Sequence, residues 1–293
     1  METHATTQDQ LVRTISTDGG IAVRVVVGTQ LVSEALRRHH TSATASVALG
    51  RALMGAVLLA ATGKHGEMVQ LQFRGNGPLG RVVSLADAEG RTRGYVTHPE
   101  AEAQAEDGSI DVAAGVGKGV LAVVRHGLDG RAPYNGLVPL SVGTIAQDIA
   151  HYMAESEQSQ TAVALGVYLS PTGIAAAGGF FVHALPEARP EDVEQAEENV
   201  RGFPGPGELV REGHTADEIV DRLLVGLGSR ERHYSIPRFY CGCDTQRVLR
   251  AVITLGREEL EEARAQGESL EVNCHFCAKT HVVTPDDLTE LLK

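Results

Sequence analysis

The chain contains no tryptophan, and only six tyrosines and six phenylalanines among 293 residues. Single-stranded nucleic acid is held by stacking bases on exposed aromatic rings, so such a platform has few candidate residues here. Basic charge is in deficit: 26 Lys and Arg stand against 38 Asp and Glu, for a net charge of −12. That balance disfavours nonspecific attraction to phosphate backbones. The longest apolar run, Ala52 to Ala61 between Arg51 and Lys64, is shorter than the ~20 residues a bilayer span needs. The first ten residues, Met1 to Gln10, are polar and lack a basic-then-apolar signal pattern. These absences give the expectation of a soluble cytoplasmic protein with no nucleic-acid and no membrane partner. Cysteine is absent from the first 240 positions.

All four cysteines lie in the last quarter, as Cys241-Gly242-Cys243 and Cys274-His275-Phe276-Cys277. In a reducing compartment, clustered thiols point to metal ligands or redox groups rather than structural disulfides. Zinc takes four thiolates in a tetrahedron, and two close pairs supply that shell. The Cys-x-Cys pair is tighter than the usual zinc-ribbon spacing. His275 and His281 are weaker ligand candidates; His275 lies between two ligands and is expected to point outward. Spacing alone leaves three readings open: a knuckle that only holds its module together, a redox device, or both. The surrounding module is below the size at which a core readily supports itself. Structural zinc in small modules carries ~10–16 kcal/mol of apparent binding free energy, so its loss should unfold the module. Zinc-bound thiolates remain open to oxidation.

Along the chain, Val69, Leu71 and Phe73 alternate with Gln70, Gln72 and Arg74, the period of a half-buried strand. Further strands are expected at 21–27, 81–85, 92–96, 120–125, 163–169 and, as the last of the core, 174–184. A helical pattern runs from Val32 to Ala61 with a break near His40-Thr41. Another begins at Thr144, where Thr144-x-x-Gln147 reads as a capping box. The composition then turns acidic. Pro186 to Glu198 carries a weak apolar stripe, the run 202–207 is rich in Gly and Pro, and Thr215-x-x-Glu218 opens a second short helix. Helices this short are marginal alone, so this segment must rest on another surface. From about Ser235, Asp244 caps a helix, a charged helix ends at Gly267, a hairpin at 270–283 carries Cys274 and Cys277, and Thr284-Pro285 starts a last helix.

Other motifs carry less. Gly75-Asn76-Gly77-Pro78-Leu79-Gly80 matches the dinucleotide pattern literally, but Pro78 and the strand-like Arg81-Val82-Val83 stand where a helix must open. It reads as a turn, as does Gly117-Lys118-Gly119. His39-His40 reads as a solvated face, and Glu155-Ser156-Glu157-Gln158 as a helix end. No Ser/His/Asp arrangement is visible.

Taken together, the two cysteine motifs, Gly75-Asn76-Gly77-Pro78-Leu79, Gly117-Lys118-Gly119, Tyr134-Asn135-Gly136, Gly143-Thr144-Ile145-Ala146-Gln147-Asp148, Ser156-Glu157-Gln158 with Thr161, and Ala177-Gly178-Gly179 resemble the heat shock protein 33 family of redox-regulated bacterial holdase chaperones. Gln160 departs from the proline expected after Ser-Glu-Gln. The resemblance spans nearly the whole chain. It implies an α+β protein with an N-terminal mixed α/β core domain (1–185), a helical metastable linker (186–234) and a small C-terminal zinc-binding redox-switch domain (235–293). It implies one Zn2+ per chain in the reduced state, with Cys241, Cys243, Cys274 and Cys277 as both ligands and redox thiols. On oxidation the family pattern pairs Cys241 with Cys243 and Cys274 with Cys277, releases the metal, loosens the linker and exposes a surface for unfolded or partly folded client proteins. A homodimer on activation is also implied. No catalytic residue and no nucleotide site follow, so the chain is not expected to be an enzyme. Two other functions stay in view: a thiol–disulfide oxidoreductase using Cys274 and Cys277, and a structural zinc-ribbon binding module.

Overall fold

The computed structural model describes residues 8–63, 66–127, 133–141 and 143–292. The polar N-terminal stretch noted above therefore lies largely outside the described residues. The chain forms two compact units, Met1–Phe239 and Tyr240–Lys293.

In the first unit, β1 (Gln10–Ile15) and β2 (Ile21–Val27) form an antiparallel pair. α1 (Thr29–His39) follows, with Gln30 N and Leu31 N donating to the carboxylate of Asp9. His40 takes a left-handed conformation (φ 49°) that ends α1, and Ser42 Oγ then caps α2 (Ala43–Ala60) by accepting from Ala45 N. The break in the helical pattern at His40-Thr41 is thus a C-cap followed by an N-cap. Next come β3 (Met68–Gly75), β4 (Arg81–Asp87) and β5 (Arg91–Val96), then α3 (Val112–Val116), β6 (Gly119–His126) and β7 (Tyr134–Pro139). The glycine-rich run 75–80 is the connection between β3 and β4, as its proline required. α4 (Ala146–Glu155) leads to the long hairpin of β8 (Thr161–Ser170) and β9 (Gly173–Ala184).

α4 starts later than its sequence suggests. Ile145, not Thr144, is the cap residue, and it has a positive φ of 72°. The buried carboxylate of Asp148 holds the turn by accepting from Ser141 N (2.9 Å), Gly143 N (3.2 Å) and Ile145 N (3.1 Å). One carboxylate thus satisfies donors that the helix start would otherwise orphan.

After β9 come α5 (Pro190–Val200), α6 (Pro206–Arg211) and α7 (Ala216–Leu223). The first unit closes with β10 (His233–Ser235) and β11 (Arg238–Phe239). β9 is therefore not the last strand of this unit. The strands form two sheets, ordered β10-β1-β2-β9-β8 and β11-β5-β4-β3-β6-β7. α2 packs against β4 and β5 of one sheet and β8 and β9 of the other. Its length and apolar composition would suit a membrane span, but 89% of it is buried inside this unit. It is the central core helix, and it explains the long apolar run.

The outer face of the five-stranded sheet presents Val12, Val23, Val25, Phe180 and Val182. α5, α6 and α7 cover it. Ile219, Val220 and Leu223 of α7 are fully buried there with Leu209 and Val210 of α6. Thr215 and Glu218 form the capping box read from sequence, with reciprocal bonds of 3.2 and 2.8 Å. Asn199 of α5 donates to Leu223 O and Val225 O, which ties α5 to the end of α7. α6 comes closest to the sheet through glycines: a Cβ at Gly166 would lie 2.8 Å from Gly207 N, and one at Gly178 would lie 2.9 Å from Pro206 O.

In the second unit, α8 (Thr245–Val252) runs through a 3₁₀ turn (Ile253–Leu255) to α9 (Arg257–Gln266). β12 (Leu270–Asn273) and β13 (Thr280–Val283) form a hairpin, and α10 (Pro285–Leu291) ends the unit. Its core is small: Val248, Val252, Leu260, Ala263, Val283 and Leu288.

The glycine contact generates a prediction. Gly166→Val should push α6 off the sheet at a cost of ~1–3 kcal/mol, the usual range for overpacking. Limited proteolysis should then cut between 186 and 232 faster than in the parent chain. Unchanged cleavage would mean that α6 does not need this close approach.

Candidate metal centre

The cysteines are brought together within the second unit by two local structures. Cys241 and Cys243 immediately precede α8. Asp244 Oδ1 caps that helix by accepting from Arg247 N (2.7 Å), and Arg247 Nη1 donates back to Gly242 O (3.1 Å). This fixes the Cys-x-Cys segment against the helix start. Cys274 and Cys277 occupy the turn between β12 and β13. Cys277 N and Ala278 N donate to Cys274 O (3.2 and 2.8 Å), and Cys274 N donates to Lys279 O (3.0 Å). Ala278 adopts a positive φ of 55°, which closes the turn.

The four sulfurs all lie within 4.8 Å of one another and could hold a metal ion. Cys241 Sγ is 3.8 Å from Cys274 Sγ, and Cys243 Sγ is 3.3 Å from Cys277 Sγ. A tetrahedral thiolate site with Zn–S bonds of about 2.3 Å places its sulfurs about 3.8 Å apart, so donor type, number and spacing all fit such a site. All four thiols are free.

The sulfurs differ in their proton affinity. Burial pushes the Cys243 thiol far up, reinforced by its neighbours Cys277 and Cys241. Burial also raises Cys241. Cys277 is buried as well, but donation from the Lys279 backbone and the neighbouring thiols outweighs that and holds it below the ordinary thiol range. Metal binding here must displace thiol protons, so affinity falls as pH falls.

The histidines separate clearly. His275 is exposed, as its position between two ligands suggests. His281 is buried on β13, with Nε2 3.4 Å from Cys243 Sγ. In its Nε2–H tautomer it donates to that sulfur, so its place is beside the four-sulfur set. Within the hairpin His281 pairs with Val272, two residues before Cys274.

With this geometry in view, comparison with known proteins is informative. The profile of the family described as "Hsp33 protein" matches residues 9–284. The chain belongs to the Hsp33 family. It is 38% identical over 291 residues to the 33 kDa chaperonin of Geobacter sulfurreducens, covering 99% of this chain and 96% of that one. It is also 38% identical to the 33 kDa chaperonin of Nostoc punctiforme, covering 97% and 96%. The crystal structure of the 33 kDa chaperonin (heat shock protein 33 homolog) of Thermotoga maritima superposes with a TM-score of 0.90 at 34% identity, covering 97% of this chain and 98% of that one. The α+β architecture read from the sequence is thus that of the Hsp33 family. Neither His39-His40 nor the 75–80 turn contributes to the cysteine cluster: His39 lies at the end of α1 against Phe239.

Cys277→Ser should lower metal affinity and unfold the second unit while leaving the β2, β3 and α2 core of the first intact. Treating the parent chain with a strong chelator should do the same. Amide hydrogen exchange would show protection lost over 241–292 and retained in β2, β3 and α2. Retained protection throughout would mean that the small core suffices without the metal.

Proposed function

We propose that this protein is a redox-regulated holdase, in which oxidation of the cysteine cluster converts a folded resting form into one that binds unfolding clients. The observation that carries the proposal is the four-sulfur cluster at the centre of a unit whose own core is only a handful of side chains. Membership of a family whose curated relatives are named chaperonins supports the chaperone reading. It also favours a protein that binds other chains over an enzyme.

In this reading Cys241, Cys243, Cys274 and Cys277 hold one Zn2+ per chain in the reduced state. Zinc, when bound, ties the two cysteine loops together and keeps their sulfurs as thiolates without redox chemistry of its own. A thiolate of one motif attacks hydrogen peroxide, forming a sulfenic acid and releasing hydroxide. The second thiol of that motif then displaces water and closes the disulfide. Each pair gives up two electrons, and each peroxide leaves as one water and one hydroxide, which takes a proton from solvent. Disulfides Cys241–Cys243 and Cys274–Cys277 leave the cluster without thiolates, and the second unit loses its main support.

The output follows from chain continuity. The segment before Tyr240 is held by β10 and β11, strands of three and two residues. Once the following unit unfolds, such short edge pairings are the first to fray. α5, α6 and α7 then lose their C-terminal anchor, and the apolar face they cover becomes available to clients. We place this activity in the cytoplasm and assign the active form to a homodimer.

The alternative of an oxidoreductase finds less support, because Cys274 and Cys277 sit in a hairpin turn rather than at the start of a helix that would activate one thiolate. The test is aggregation of a chemically denatured client, measured with and without prior peroxide treatment. Suppression should appear only after oxidation, with loss of about one zinc and four thiols per chain. Peptide mapping of the oxidised protein should find the two disulfides within the motifs. Equal suppression before and after peroxide would sink the switch, and insulin reduction at catalytic rates would revive the oxidoreductase.

A further inference from the structure

The geometry points to a binding site for a small oxyanion, of the inorganic phosphate class, at the C-terminal end of α2. Arg13, Arg24, Arg125 and His183 form it, all within the first unit and separate from the cysteines. On the antiparallel pair β1–β2, Arg13 stands directly opposite Arg24. His183 of β9 pairs with Ala22, two residues along β2 from Arg24 and therefore on the same sheet face. Arg24 Nε donates to Ala61 O (3.1 Å), just past α2. Arg125, from β6 of the other sheet, reaches the adjacent Thr62 Oγ1 (3.5 Å).

Three guanidinium groups and an imidazole thus converge where the two sheets meet the end of α2. The charged groups acting on Arg24 are Arg13 and Arg125, both of its own sign. Burial and this repulsion lower Arg24 to about 10, and burial together with Arg24 lowers His183. Glu157 is the carboxylate within the cluster. Its Oε1 already accepts from Arg125 Nε (3.0 Å) and Tyr152 Oη (2.6 Å). Glu67, Arg230, Glu231 and His233 line the surrounding recesses, the last three exposed.

A structural explanation accounts for part of this. Cations favour a helix C-terminus, so Arg24 Nε and Arg125 serve α2. It does not account for the remaining donors. Arg13 Nε, Arg24 Nη1 and His183 Nδ1 are shielded from solvent, with no hydrogen-bond partner among the described residues. Like charges placed directly opposite on paired strands destabilise a sheet, and so do buried donors without acceptors. The repulsion is relieved by one multivalent acceptor of negative charge, and the guanidinium fork is shaped for a tetrahedral oxyanion. There is room beside the paired arginines: a recess of about 530 Å³ is lined by Arg13, Arg24 and Ala61, and a separate one of about 870 Å³ is lined by Arg125, Glu157 and His183.

The test is calorimetric titration of the full, reduced, metal-loaded chain with inorganic phosphate, against a chloride control of matched ionic strength. One phosphate per chain should bind. Arg13→Gln should weaken binding about tenfold or more, the loss expected for a charge-assisted bond. The same variant should melt higher than the parent in chloride, because it removes the repulsion with Arg24. Arg13→Lys keeps the charge and loses the fork, and should bind phosphate more weakly than the parent with a melting temperature close to it. If Arg13→Gln does not fold, the Arg13→Lys titration decides. Absence of an isotherm in the parent chain, equal affinity in parent and variants, or a lower melting temperature for Arg13→Gln in chloride would each overturn the site.

Discussion

The five-stranded sheet is apolar on its outer face and over most of its inner one, and the rest of the first unit is arranged to keep those surfaces out of water. One face is covered by α2, which also backs the second sheet and so fuses the two layers around a single core. The other is covered by three short helices that follow the last long hairpin. The two covers differ in kind. α2 is a long helix buried almost all round, whose position no local event could release. α5, α6 and α7 are short, polar on their outer sides and joined by Gly- and Pro-containing turns, so their order comes from the sheet rather than from themselves.

That asymmetry makes the cysteine unit meaningful for the first unit. A small core and four convergent sulfurs describe a fold that depends on its cross-link more than on burial. On the proposed reading, such a fold responds to the chemical state of the sulfurs in an all-or-none way. The most loosely self-supporting helices of the chain lie directly upstream of it in sequence. Beneath them lies an apolar sheet face that includes Val12, Val23, Val25, Phe180 and Val182.

Much of this was legible in the sequence. Alternation identified β3, apolar runs located β2, β8 and β9, the cap signals identified α7, α8 and α10, and the cysteine spacing singled out the four residues that the fold brings together. β1 and β7 were not visible, because Gln10–Ile15 mixes polar and apolar residues without clean alternation and Tyr134–Pro139 carries both Gly136 and Pro139. α6 was hidden in a Gly/Pro run, although Pro206 at its first turn is a proper helix opening. Asp148 escaped notice because its partners lie before the helix, in a turn whose shape only the folded chain defines. His281 and the arginine cluster depend on strand register. Nothing in the linear order says that Arg13 faces Arg24, or that a histidine on one arm of a hairpin reaches a sulfur on a different loop.

The three-residue strand β10 has a second consequence. It pairs with β1 along its outer edge and so blocks the row of backbone donors and acceptors that an edge strand presents. Peeling it away would open a sheet edge at the same moment as a sheet face. The unpaired backbone could then add an extended segment of another chain by main-chain hydrogen bonding, whatever its side chains. On the proposed holdase reading, many unrelated clients could be held by a contact to the part of the polypeptide that all of them share.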